Sequence, residues 1–355
     1  MIKEAFSTSI NYMQVMDEQG NIDQQLLPKD VDDSKILEMY KWMSFARQLD
    51  AKALSLQRQG RAVTYAPLVG EEATQIGSAM AMGQNDFFVP NFRQHGVFLV
   101  RRLPLYAIFL YWKGFEEGSV VGKDVNALPY IVPVSTQLPH ATGIALAQKY
   151  RKTGGAVVTY VGDGGTSEGN FYEAINFAGI MKAPLVMIIE NNGWAISEPR
   201  SEQTAAQTLA QKAVAAGIQS IQVDGNDVIA VYKATKDAIS KAADGPTVIE
   251  CITYRMSMHT TADDPSKYRP QADVEAWKPK DPLLRVRNYL AKKGLWDDTK
   301  ESALSEEHLK EIDAAVDEAE KFKADPKSMF QNLYSFIPDT LKEEMDAAAA
   351  ANFWQ

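Results

Sequence analysis

The order strand, helix, strand in the middle of the chain limits its fold more than any other feature. Residues 156–161 and 184–189 are apolar runs of strand length. Between them Phe171, Ala174, Ile175 and Ala178 recur at helical spacing, behind a hydroxyl at Ser167 suited to an N-cap. Two strands joined by a helical crossover run parallel, and the crossover puts both carboxyl ends on one edge of the sheet. Each run closes on polar residues, Gly162-Asp163-Gly164-Gly165 after the first and Asn191-Asn192 after the second. Asp163 and Asn192 are therefore expected side by side, at the edge where open α/β sheets bind ligands.

Both side chains present oxygen, which suits Mg²⁺ or Ca²⁺ better than a soft transition metal. Gly162, Gly164 and Gly165 let the backbone come close to a bulky anion, and a helix starting near Ser167 turns free amides toward it. These residues support a divalent metal holding a diphosphate. The dinucleotide fingerprint fits less well. Read through Gly162, Gly164 and Gly169, its third glycine falls five residues after the second instead of three. Asp163, between the first two, would also repel a diphosphate that lacked a cation. No Gly-Lys-Ser/Thr follows, so a P-loop is absent. A glycine turn and a polar loop that only connect strands remain the plain alternative.

At 355 residues and 45% apolar content the chain can bury a large core. No long Pro/Gly/Ser linker divides it, so one α/β domain with helical extensions is expected: an N-terminal extension over 1–60, the α/β domain over 61–290 and a C-terminal extension over 291–355. Ile36, Met39, Tyr40, Met43, Ala46 and Leu49 mark an opening amphipathic helix. Leu309, Ile312, Val316, Ala319 and Phe322 mark a late one, with Ser305 and two glutamates at its start. The alanines near 347–351 belong to a terminal helix, and there is no internal repeat. The net charge of −9 argues against nucleic acid as a partner. Apolar runs such as 105–112 are far shorter than the roughly 20 residues that span a bilayer, and the first residues lack the apolar stretch of a signal peptide. A soluble, cytoplasmic protein with no membrane partner is expected. Cys251, the single cysteine, is expected in the core.

Two loops carry further chemistry. In 255–270, His259, Tyr268 and Arg269 stand with Asp263 and Asp264, a mix suited to gripping an anion and moving a proton, though a solvated surface loop fits the same residues. In 89–96, Arg93 offers a planar fork for diphosphate oxygens, a use most loop arginines do not have. Glu71 and Glu72 open an apolar-periodic segment and read as a helix start.

The string from Gly162 to Gly179, with Asn191-Asn192 behind it, resembles the thiamine diphosphate motif. With the runs 191–197, 222–227 and 259–265 the chain is similar, from about residue 35 to about 340, to the alpha subunit of the decarboxylating component of 2-oxo acid dehydrogenase complexes, most closely the pyruvate type. The resemblance implies the thiamine diphosphate-binding fold, a central mostly parallel sheet with helices on both faces and helical N- and C-terminal extensions. It implies thiamine diphosphate and Mg²⁺, with Asp163, Asn192 and the backbone carbonyl of Trp194 as metal ligands. Gly162, Gly164 and Gly165 would lie against the diphosphate. Phe92 and Arg93 take the place of an aromatic-arginine pair that contacts the diphosphate in relatives; Phe92 replaces the usual tyrosine, so a hydroxyl contact is lost. Val132 and Val134 correspond to apolar residues packed on the bent cofactor. His259 would face the reaction centre as a catalytic and cofactor-contacting residue, with substrate or loop-ordering roles for Tyr268 and Arg269. His95 reads as structural. Where some relatives hold a monovalent cation with two serines this chain has Ile131 and Val132, leaving Thr136 and Gln137 alone there, and Thr260, Thr261 and Ser266 sit where some relatives are phosphorylated.

The activity implied is oxidative decarboxylation of a 2-oxo acid, pyruvate before the branched-chain acids, with the acyl group passing to the lipoyl arm of a dihydrolipoyl acyltransferase. In this family the glutamate that activates the cofactor comes from a beta subunit, which implies a site split between chains and an α2β2 heterotetramer. An assembly subunit without catalytic function is the alternative from another class; a scaffold, however, would need none of Asp163, Asn192 and His259.

Overall fold

The computed structural model describes residues 1–325, 327–331 and 333–351. Its main sheet has six strands: β1 Tyr12–Met13, β2 Phe87–Val89, β3 Val157–Gly162, β4 Leu185–Asn191, and, after a short antiparallel ribbon of β5 Trp194–Ala195 and β6 Glu198–Pro199, β7 Gln219–Asp224 and β8 Thr247–Ile252. The order is β1-β7-β8-β4-β3-β2 and every pair is parallel. The two strands read from the sequence are neighbours, in register from Val157 opposite Leu185 to Gly162 opposite Glu190. Both lie deep in the sheet, which is why they read as unbroken apolar runs and not as alternating ones.

Side chains leave the two faces alternately. Val157, Val161, Leu185, Met187 and Ile189 pack with Leu138, Ala141 and Ala145 of helix Gln137–Arg151 and with Phe171, Ala174, Ile175 and Ala178 of helix Gly169–Met181. Val158, Tyr160, Val186 and Ile188 pack on the other face with Ala79 of helix Glu72–Ala81, Val231 of helix Val228–Ser240 and the inner side of helix Asp33–Arg58. Cys251 is buried in this second layer. The expected α/β sheet with helices on both faces is thus observed.

Several local expectations need correction. Ser167 does not cap the crossover helix: it ends a 3₁₀ turn, Gly164–Ser167, and extended Glu168 precedes the first helical residue, Gly169. The hydroxyl of Thr166 donates to Asp163 O at 2.7 Å and helps close that turn before the helix begins. The late helix runs Asp298–Lys321, starting earlier than Ser305 because the Asp297 side chain accepts from Lys300 N; Phe322 lies just beyond it. The alanines belong to helix Asp339–Ala350, and residues 352–355 of the expected C-terminal extension lie outside the described residues. Within the first 60 residues the structure adds an edge strand, β1, to the expected helix. Asp227 fastens its exit by accepting from Val15 N and Met16 N, both at 2.6 Å, while its other oxygen caps helix Val228–Ser240. Among the described residues no helix is long and apolar enough to cross a membrane.

Candidate active site

The carboxyl ends of β3 and β4 form the floor of a cavity of about 410 Å³. Asp163, Gly164 and Gly165 enter it from the turn after β3, and Asn192 and Trp194 from the segment after β4. Phe92, Arg93, Val132, Val134 and His259 also line it, so residues the sequence placed on five separate segments meet in one place. Gly162 is open: a Cβ built there meets nothing within 4 Å. Gly165 is the reverse, since its Cβ would lie 2.4 Å from Val161 Cγ2 and 2.8 Å from Ser135 Oγ. The first glycine leaves room for a ligand; the second lets the turn pack on the sheet.

The donor set is rich in buried oxygen. Asp163 Oδ2, Glu71 Oε2 and Glu190 Oε1 are buried and have no hydrogen-bond partner among the described residues. Burial pushes the Asp163 carboxyl up to about 7, against the Gly164 amide that favours its charge. Burial likewise raises Glu71, opposed by Arg93 and Asn192, and raises Glu190, with the Glu71 charge adding to it. Buried carboxylate oxygens without partners are costly unless a cation meets them. Asn192 Nδ2 donates to Glu71 Oε1 at 2.7 Å, and Asn192 Oδ1 accepts from Trp194 N at 3.1 Å. Trp194 O accepts from Arg255 Nη1 at 3.2 Å, which leaves a second lone pair. Asp163 Oδ2, Asn192 Oδ1 and Trp194 O form an all-oxygen set that fits a hard divalent cation.

Backbone strain marks the rim. Ile196 has φ of 56° and Ser135 of 64°, left-handed conformations that a branched or substituted residue rarely adopts, and both line the cavity. Ser135 is held there by donating to Gly165 O at 2.5 Å, and Ile196 O accepts from Arg255 Nη2 at 2.6 Å.

The 255–270 loop closes one side. Its Asp263 Oδ2 accepts from His259 N at 2.7 Å and from the Tyr268 hydroxyl at 2.6 Å, and Arg255 Nη2 donates to that hydroxyl at 2.7 Å. Arg269 donates to Arg255 O and, at 2.9 Å, to Ser257 O. Tyr268 and Arg269 therefore fasten the loop and line neither this cavity nor the adjoining one of about 620 Å³, with which it shares Phe92, Val132, Val134 and His259. His95 is wholly buried between Tyr130 OH and Ala66 O, away from both. Thr136 and Gln137 bond to Pro133 O and Tyr160 O. Thr261 Oγ1 accepts from Tyr65 N and is partly buried.

Sequence reading missed Glu71, Glu190, Ser135 and Arg255 as parts of the site. Glu71 does stand at the start of helix Glu72–Ala81, as expected, yet its side chain caps nothing and turns into the cavity. Glu190 carried a signal, being the one charge inside an apolar strand. Lys212 was also missed; its Nζ donates to Thr166 O at 2.8 Å and Oγ1 at 2.9 Å, pinning the turn from behind.

This sheet edge, with its buried oxygens and its glycine opening, defines an α/β protein with a ligand-sized cavity at the carboxyl ends of its parallel strands. The family described as "Dehydrogenase E1 component" matches residues 40–327, and the chain belongs to it. It is 43% identical over 338 residues to proteins named pyruvate dehydrogenase E1 component subunit alpha from Staphylococcus aureus and Staphylococcus epidermidis, covering 94% of this chain and 91% of each relative. The resemblance read from the motifs therefore holds.

Proposed function

We propose that this chain is the alpha subunit of a cytoplasmic pyruvate dehydrogenase that acts with a beta subunit in an α2β2 heterotetramer, and that it uses thiamine diphosphate and Mg²⁺. The observation that carries the reading is the unpartnered, buried Asp163 Oδ2 beside Asn192 at the ends of two parallel strands, above an open Gly162. The cofactor, when bound, supplies the electron sink that decarboxylation of a 2-oxo acid requires. Asp163, Asn192 and the Trp194 carbonyl would hold the metal, and Gly162, Gly164 and Gly165 would leave room for the diphosphate beside it. Arg93, whose Nε lies 3.9 Å from Glu71 Oε1, would turn its remaining Nη2–H to the diphosphate, beside Phe92. Val132 and Val134 exclude water from the apolar part of the cofactor. His259, which lines the cavity, would face the reaction centre, and Tyr268 and Arg269 hold its loop in place. Glu71 is engaged with Asn192, and the family resemblance assigns the ring-activating acid to the beta subunit. The acyl group leaves on the lipoyl arm of a dihydrolipoyl acyltransferase.

Turnover of pyruvate against 3-methyl-2-oxobutanoate by the assembled enzyme tests the substrate; preference for the branched acid would replace pyruvate with the branched-chain class. Strong decarboxylation by this chain alone would refute the split site. Calorimetry of thiamine diphosphate with Mg²⁺ on the assembled pair tests the metal site, which fails if Asp163→Ala leaves binding unchanged. Absence of binding to the parent pair would favour an assembly subunit.

A further inference from the structure

Arg93 meets His259 in an arrangement whose chemistry is one-sided. The Arg93 side chain is buried and its Nη1 donates to Pro67 O and, at 3.1 Å, to His259 O, so the guanidinium is anchored on two carbonyls. Its Nη2 lies 3.2 Å from His259 Nδ1. A guanidinium offers only N–H donors, so this contact is attractive only if Nδ1 is bare. A neutral imidazole with a bare Nδ1 carries its proton on Nε2. Nε2 has no hydrogen-bond partner among the described residues, and the ring borders both cavities, with Phe92 set edge-on to it at 5.7 Å. Burial, with Arg93 and Arg255 nearby and only Asp263 opposing them, pushes the imidazole down to about 3, so it stays neutral at ordinary pH.

We infer that Arg93 is a positioning residue that fixes His259 as the Nε2–H tautomer, so that His259 gives the 2-oxo acid a hydrogen bond from Nε2 and does not act there as a base. This rests on the proposed function for what fills the cavity; the tautomer itself does not. Nδ1 is capped by Arg93 and Nε2 already carries its proton, so the ring turns no basic nitrogen toward the substrate. The proton therefore stays on Nε2 and the N–H dipole stabilises charge that develops on the substrate oxygen.

Histidine-¹⁵N labelling tests the inference on the enzyme assembled with its beta chain. The chain has four histidines, and His259→Gln identifies the His259 resonances by their disappearance. Solid-state spectra are expected to show a protonated Nε2 and a bare Nδ1 on both sides of the ordinary histidine pKa of about 6.5. Arg93→Lys, whose ammonium also only donates, should retain that pattern. Arg93→Met should turn it into a mixture of tautomers. A protonated Nδ1 in the parent enzyme, or an unchanged pattern in Arg93→Met, would overturn the inference. If Arg93→Met does not assemble, the parent spectrum decides alone. The spectrum reads the tautomer whether or not pyruvate is turned over, so its failure is distinct from a failure of the proposed function.

Discussion

Asn192 donates through Nδ2 to Glu71 Oε1 at 2.7 Å, and this single bond settles which way the Asn192 amide faces. With the NH₂ group held by a carboxylate, Oδ1 is left to Trp194 N and to the space beside Asp163. An acid from the start of one helix thus orients a neutral oxygen donor at the end of a strand, 121 residues further along the chain.

Removing that orienting group should weaken the proposed metal site without unfolding the protein. Partners that orient a metal ligand are typically worth about 10–100-fold in affinity. Glu71→Ala in the assembled enzyme is therefore expected to lower the apparent affinity for thiamine diphosphate with Mg²⁺ by about that factor, by calorimetry, with little change in thermal stability. An unchanged affinity would mean that Glu71 does not orient Asn192.

The two glycines should respond in opposite ways to the same added methyl. Gly162→Ala meets nothing within 4 Å, so the apo chain should be as stable as the parent or gain up to about 1 kcal/mol. Cofactor binding should still fall, because the methyl enters the cavity. Gly165→Ala meets Val161 and Ser135 at overlapping distances, and overpacking of this kind costs about 1–3 kcal/mol. Denaturant unfolding of the apo chains, set beside calorimetry, separates the two effects.

The layered sheet and the Asp163–Asn192 pair were legible because they rest on periodicity and on the geometry of a crossover, both local properties of the chain. The apolar repeat of 156–161 and 184–189 placed both strands to within two residues at either end. Strand β1 was not legible: two residues carry no period, and its place depends on Asp227 more than 200 residues away. Glu71 was hidden for a related reason, since a glutamate at a helix start has the same sequence signature whether it faces solvent or Asn192. Arg255 belonged to a loop already singled out, but its links to Trp194 and Ile196 exist only once the loop is folded back.

Asp50 should prove the most sensitive position outside the cavity. It is wholly buried and accepts from Tyr65 OH at 2.5 Å, Leu68 N at 2.6 Å and Val69 N at 2.9 Å, so it gathers the segment whose Pro67 carbonyl anchors Arg93. Asp50→Ala leaves those buried donors without a partner, and each such group costs about 1–3 kcal/mol. A loss of about 3 kcal/mol or more in urea unfolding is expected, together with weaker cofactor binding. A loss below about 1 kcal/mol would show that water takes over the contacts.

His95 gives the fold a defined sensitivity to acid. Ala66 O accepts from Nε2 at 3.0 Å, so Nδ1 is bare and accepts from Tyr130 OH at 2.7 Å. Burial, with Arg93 nearby, pushes the imidazole down to about 3, whereas an unfolded histidine titrates near 6.5. Folding therefore favours the unprotonated ring. This contribution is fully present above about pH 6.5 and is lost as the pH falls toward 3, because only the unfolded chain takes up the proton. At about 1.36 kcal/mol per unit, lowering the pH from 6.5 to 5 removes about 2 kcal/mol. Buried acids such as Asp50, raised to about 7, act in the opposite direction, so the comparison must be made between variants. His95→Gln keeps one acceptor and an N–H donor but cannot titrate. Its stability, measured by urea unfolding at pH 7 and pH 5, should fall about 2 kcal/mol less than that of the parent; equal losses would show that His95 is protonated in the folded chain.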